Sequence, residues 1–123
     1  MHVRCGNCKT RLSEDVRLAT AEERNTNDGE SYVPPGAAIQ EDDSFFHQNV
    51  GGWILNIADV VNTHLTTAQR RLSGCCGLDG MDGPNLLCVH CEAEVATKKT
   101  DCWMPHCVIF EPATTESVAE RPE

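Results

Sequence analysis

The sequence predicts an α+β, mainly β domain with a single helix at about residues 57–72. Three observations carry that reading. Apolar runs are short and are cut at close intervals by Gly, Pro, Asn and Asp, the punctuation of strands and turns. Only one stretch carries an apolar stripe at helical spacing over several turns. Eight cysteines in 123 residues include two C-x-x-C pairs far apart in the chain, Cys5-Gly-Asn-Cys8 and Cys88-Val-His-Cys91.

Taken in order, residues 1–12 read as a cysteine knuckle leading into a short apolar edge. From 14 to 43 the chain is acidic: Glu14, Asp15, Glu22, Glu23, Asp28, Glu30, Glu41, Asp42 and Asp43 face only Arg17 and Arg24. Asn25-Thr-Asn-Asp-Gly29 tolerates the backbone angles of turns, so 20–30 is expected as an exposed loop. Ser31-Tyr-Val33 is strand-like, Pro34-Pro35-Gly36 stops it, and Ala37–Gln40 resumes it around a corner. Ser44–Val50 suggests another strand, ended by Gly51-Gly52, and Trp53–Asn56 a short buried one. Apolar residues at 57, 60, 61, 65, 68 and 72 then predict the helix. Asn56 is placed to cap it, Asp59 to favour its first turn and Gly74 to end it. One continuous helix from Trp53 is the rival. Residues 74–85 are almost pure turn chemistry, 86–88 and 93–97 suggest strands flanking the second knuckle, and 108–110 suggests a last strand. The segment 111–123 has too little apolar content to pack, which predicts a domain at 1–110 and an acidic disordered tail beyond it.

Two sulfurs three positions apart grip one cation from a tight turn, and two such turns complete a tetrahedral thiolate site. Cys5, Cys8, Cys88 and Cys91 are therefore the expected ligands of one structural Zn2+. Their separation costs little, because loop-closure entropy grows only logarithmically. With two Trp, one Tyr and three Phe the core is thin, and a structural zinc adds on the order of 10 kcal/mol to folding. Four thiolates also accept iron or an iron–sulfur cluster, but nothing else marks an electron carrier. A rival pairing joins Cys88, Cys91, Cys102 and Cys107 in one local site and Cys5, Cys8, Cys75 and Cys76 in another, although adjacent residues ligate one ion only with awkward backbone geometry. If the knuckles share one zinc, Cys75, Cys76, Cys102 and Cys107 are either ligands of a second ion, helped by His106, His90 or His64, or small buried hydrophobes. Trp53 and Trp103 read as core anchors, the latter near the metal.

Composition narrows the function classes. The net charge of −9 repels phosphate backbones, so sequence-independent nucleic-acid binding is disfavoured; Arg70-Arg71 and Lys98-Lys99 read as solvated surface doublets. No run approaches the ~18 apolar residues of a membrane span, and MHVRCGNCKT has no apolar signal region. The expected compartment is the cytoplasm, where paired cysteines indicate metal more often than disulfides. His90-Cys91-Glu92 offers H-x-E, but the P-C-x-x-C of zinc deaminases is missing. There is no H-E-x-x-H, neither C-x-x-C is followed by His, and Asp79-Gly-Met-Asp82-Gly lacks the alternating acids of a calcium loop. With no strand expected before Cys5 and Cys8, the first pair is not expected to be a redox-active C-x-x-C.

Two C-x-x-C knuckles, Cys5/Cys8 and Cys88/Cys91, around a long β-rich insert resemble the zinc-anchored β-tent of Yippee-like proteins, the cereblon drug-binding domain and B-type methionine sulfoxide reductases. The resemblance implies a metal-closed β fold. For the reductases it implies a catalytic cysteine on a late strand, at Cys102 or Cys107; the cereblon pocket needs three tryptophans where this chain has two. Gly74–Asn85, Glu94–Thr97 and Asp101-Cys-Trp103 also resemble small uncharacterised bacterial proteins, which brings no activity. The expected function is a zinc-binding module that recognises a protein or small ligand, with a basic surface the expected complement to the acidic one. A thiol-redox enzyme using Cys102, Cys107 or the Cys75–Cys76 pair is the alternative, and a metal sensor or carrier a third.

Overall fold

Strand β8, Cys107–Phe110, is buried at all four positions and organises the molecule. Side chains alternate across a strand, and here both faces find a core. Val108 and Phe110 join the larger cluster, with Val3, Cys5, Leu12, Leu55, Leu86, Cys88 and Val95; Cys107 and Ile109 join the smaller one, with Tyr32, Val33, Phe46 and Ile54. A strand buried on both faces reads as a continuous apolar run, which is what Cys-Val-Ile-Phe is.

A computed structural model describes residues 1–119 of the chain. Its strands are β1 His2–Cys5, β2 Arg17–Leu18, β3 Ala37–Gln40, β4 Trp53–Leu55, β5 Thr63–Leu65, β6 Leu86–Cys88, β7 Glu94–Lys99, β8, and β9 Thr115–Val118. Seven form one sheet in the order β2-β3-β4-β8-β7-β6-β5, and β1 pairs with β9 in a separate ribbon. Every pair is antiparallel except β2 with β3. The mainly β expectation holds, with β4, β6, β7 and β8 close to where the apolar runs place them. No helix among the described residues is long and apolar enough to cross a membrane.

The helix expected at 57–72 does not form. Asn56 does cap, its carboxamide oxygen accepting from Ala58 N–H at 2.9 Å, but the capped turn is a single 3-10 turn at Ile57–Asp59. The backbone then finds lateral partners. Val60 bridges Ser13, and Val61 N–H donates to the Leu12 carbonyl at 2.9 Å. Asn62 turns the chain with φ 57°, and Thr63–Leu65 pairs with β6. Val60, Val61 and Thr63 are β-branched and suit this extended path. The apolar stripe therefore belongs to several short segments, not to one cylinder.

The predicted disordered tail is also corrected. Within 111–119 lies β9, paired in register with β1 from His2↔Val118 to Cys5↔Thr115. Polar residues suffice there, because the ribbon is held by backbone bonds and by Glu116, which pairs with Arg4 and Lys9. The remainder of the predicted tail, 120–123, lies outside the described residues. Neither Ser31–Val33 nor Ser44–Val50 becomes a regular strand. Ser31 makes one bridge to His106, and 47–49 is a 3-10 turn whose preceding Phe46 plugs the smaller core.

Candidate metal centre

Cys5 ends β1 and Cys88 ends β6, both fully buried at the margin of the larger core; Cys8 and Cys91 lie in the turns that follow, exposed and half-buried. The two turns share one backbone design. In the first, Lys9 N–H donates to the Cys5 carbonyl at 2.9 Å and Cys5 N–H to Thr10 O at 2.8 Å. In the second, Glu92 N–H donates to the Cys88 carbonyl at 2.9 Å and Cys88 N–H to Ala93 O at 3.0 Å. The residue after each second cysteine takes the left-handed conformation, Lys9 at φ 64° and Glu92 at φ 63°. Non-glycine residues adopt that conformation sparingly. Its recurrence at equivalent positions marks a geometry set by the turn, not by either local sequence.

The four sulfurs lie within 4.8 Å of one another. Cys5 Sγ is 3.6 Å from Cys91 Sγ, and Cys8 Sγ is 3.6 Å from Cys88 Sγ. A tetrahedron of thiolates at the zinc–sulfur distance of about 2.3 Å has edges of about 3.8 Å, so the set fits one thiophilic ion. Nearby groups favour the thiolates unequally. The Thr10 hydroxyl, 3.0 Å from Cys8 Sγ, is the main reason that this thiol is lowered to about 6. The Asn7 side chain lowers Cys91, while burial raises Cys5 to about 11. Were all four ionised, sulfurs this close would need a cation among them. The C-terminal segment braces the first turn: Gly6 N–H donates to Thr114 O at 2.8 Å, and the Thr114 hydroxyl to Glu94 O at 2.7 Å.

A second cluster gathers Cys75, Cys76, Cys102 and Asp101. Of the four residues named for a second site, Cys107 is the exception. It faces the smaller core with no exposure, and burial pushes its thiol up to about 12. The rival pairing is not the arrangement seen: Cys102 and Cys107 do not join Cys88 and Cys91, nor Cys75 and Cys76 join Cys5 and Cys8. None of the three histidines belongs to either group: His64 pairs with Glu92, His106 Nε2 lies 3.0 Å from the Asp101 carbonyl, and His90 is exposed.

Asp101 is the member of this cluster that motif reading missed. It has no solvent exposure, and both oxygens are engaged. Oδ1 accepts from Cys102 N–H at 2.8 Å and Cys76 N–H at 3.2 Å; Oδ2 accepts from Trp103 Nε1 at 2.7 Å and Cys75 N–H at 3.1 Å. Burial works to raise its carboxyl, but the hydrogen bonds, led by those from Cys75, bring it down to about 2. Cys76 and Cys102 form a disulfide, and Cys75 Sγ sits 3.6 Å from Cys102 Sγ. Trp103, expected in the core, is half exposed and donates its indole N–H to Asp101. The one available signal for Asp101 was its place between turn-rich cysteines, where a carboxylate can collect backbone donors.

No family model matches the chain, and comparison with curated proteins and with solved structures returns no significant match. The β-tent likeness therefore rests on the two knuckles alone.

Proposed function

We propose that the chain is a small zinc-stapled module in which Cys5, Cys8, Cys88 and Cys91 hold one structural Zn2+ and whose role is recognition. The observation that carries this reading is the duplicated turn, with matching backbone bonds and a left-handed residue at the same place in each copy. A closed four-sulfur set leaves no position for a substrate, which is the mark of a structural site. Bound there, the ion supplies folding free energy and no chemistry. The cysteines that are not disulfide-bonded suit a reducing compartment such as the cytoplasm.

For recognition, the supporting feature is a cleft of about 240 Å³ whose lining includes Phe45, Phe46, Met81, Trp103 and Met104. Phe45, Met81 and Trp103 are each more than a third exposed. Clefts for drug-sized ligands run from about 300 Å³ upward, so this one suits a single side chain or a small ring. The net charge of −9 favours a protein partner that presents this side chain from a basic surface. The test of the module is metal removal. Native mass spectrometry should find zinc, and a strong chelator should unfold the protein cooperatively. A metal-free chain that keeps its fold would end this reading.

The second reading, a thiol-redox enzyme, draws on the Cys76–Cys102 disulfide with Cys75 beside it. It predicts a fast-reacting thiol of depressed pKa in the reduced, zinc-loaded protein, whereas a module should have none. Cys107, sealed in the core, serves neither reading.

A further inference from the structure

We propose that in the reduced chain Cys75, Cys76 and Cys102 form a second metal site, a solvent-facing three-sulfur site for a thiophilic divalent cation of the zinc class, with Asp101 as its positioning residue. The proposal is independent of the four-cysteine site.

A disulfide between Cys76 and Cys102 needs two sulfurs, yet a third converges on them. Cys75 Sγ is 3.6 Å from Cys102 Sγ and 3.8 Å from Cys76 Sγ. These separations match the edge of about 3.8 Å expected for thiolates around one zinc-sized ion. Ligation by adjacent residues is ordinarily awkward, and here the fold solves that problem. Gly74 takes φ +155°, and a Cβ on it would lie 1.7 Å from the Gly77 carbonyl oxygen; a Cβ on Gly77 would lie 2.4 Å from Thr100 O. Only glycines permit this closure, which presses the Cys75-Cys76 turn against the 100–103 loop.

Asp101 then acts as a template. It holds the N–H groups of all three cysteine residues at once, which fixes where their side chains start. The Trp103 indole N–H takes up a further acceptor position. Its two oxygens receive four N–H donors, and Oδ1 also lies 3.2 Å from Cys75 Sγ and 3.0 Å from Cys76 Sγ, so the carboxylate orients the three sulfurs from beneath them. Cys75, Cys76 and Cys102 are all exposed, while Asp101 is sealed beneath them. A bound cation would be covered by protein on one side only, leaving a fourth position to water or another exogenous donor, as in open zinc sites. Soft thiolates select zinc-class ions over magnesium or calcium. Metal binding and the disulfide use the same sulfurs, so the two states exclude each other.

The test counts ions in the full chain. The protein is kept under a phosphine reductant, titrated with Zn2+ and weighed by native mass spectrometry. Two ions are expected in the wild type and one in a Cys76→Ser/Cys102→Ser double variant. Asp101→Asn should keep the first ion and loosen the second about 10–100-fold in a chelator competition, the usual effect of losing an outer-sphere partner. Circular dichroism of each variant checks that the fold persists. A reduced wild type that binds no more zinc at saturation than the double variant overturns the proposal. So does a second ion that survives the double variant, or a Cys76–Cys102 disulfide that resists the reductant. The four-cysteine site is read separately, as the ion retained in the double variant, so either reading can fail without the other.

Discussion

The two cysteine clusters differ in every respect that decides what a thiol group does. The first joins residues from distant parts of the chain, buries two of its sulfurs in the main core and has four sulfurs in two copies of one turn. The second is assembled from one turn and one loop, exposes all three sulfurs and is organised by a carboxylate. On the proposed reading the first is a staple, because it joins the ends of two strands at the main core. The second is then a surface device, because its three cysteines are exposed and belong to neither core cluster. Strand β7 runs between them, starting just after the Cys88–Cys91 turn and ending just before Asp101.

The sharpest way to break this comparison is to remove one sulfur from each. Cys88→Ser strips the first site of a buried ligand, and chelation strips it of its ion. Either should forfeit most of a contribution on the order of 10 kcal/mol and leave no cooperative thermal transition by circular dichroism. Cys75→Ser, measured in parallel on the reduced protein, should leave the transition of the zinc-loaded wild type nearly in place. Equal losses in the two variants would mean that both clusters are staples.

A smaller effect is expected from ending the chain at Phe110. This removes β9 from β1 and takes away the Thr114 carbonyl that receives Gly6 N–H. With a net value of about 1 kcal/mol per hydrogen bond, the loss should be about 2–4 kcal/mol in urea denaturation. Zinc should leave the first cluster faster, while the second keeps its affinity. An unchanged off-rate would show that β9 is decoration.

Some of this contrast was readable in the chain and some was not. The knuckles are legible because C-x-x-C brings two sulfurs into one tight turn, and most of β8 because the apolar run 108–110 suits a buried strand. The false helix at 57–72 came from the same kind of pattern. Apolar spacing at 57, 60, 61, 65, 68 and 72 fits a cylinder, but what decided the outcome was nonlocal: Leu12 and Ser13 pairing with 60–61, and β6 pairing with 63–65. Composition misled in the tail as well, since Thr115-Glu-Ser-Val118 buries little and is ordered by backbone pairing. Asp101 was missed because its role lies in three backbone N–H groups, which no side-chain motif records.

The smallest effect expected is at Lys99, on β7 between the clusters. Its side chain is only 2% exposed, its ammonium sits 5.5 Å from the centre of the Phe46 ring, and Nζ donates to Asp79 O at 3.3 Å. Burial lowers its pKa below the ordinary 10.5. The sign follows from proton counting: between the lowered value and 10.5 the unfolded chain binds more protons than the folded one, so stability rises with pH across that window. Below the window the cost of burying the charge is present in full. Lys99→Met removes it and should stabilise the zinc-loaded protein by about 1 kcal/mol at neutral pH. It should also flatten the rise on approach to pH 10.5, measured by urea denaturation at a series of pH values. If the clusters are separate devices, zinc affinity at both should stay unchanged in this variant. A shift at either would make β7 a coupling element between them, and the division into staple and surface device would have to be redrawn.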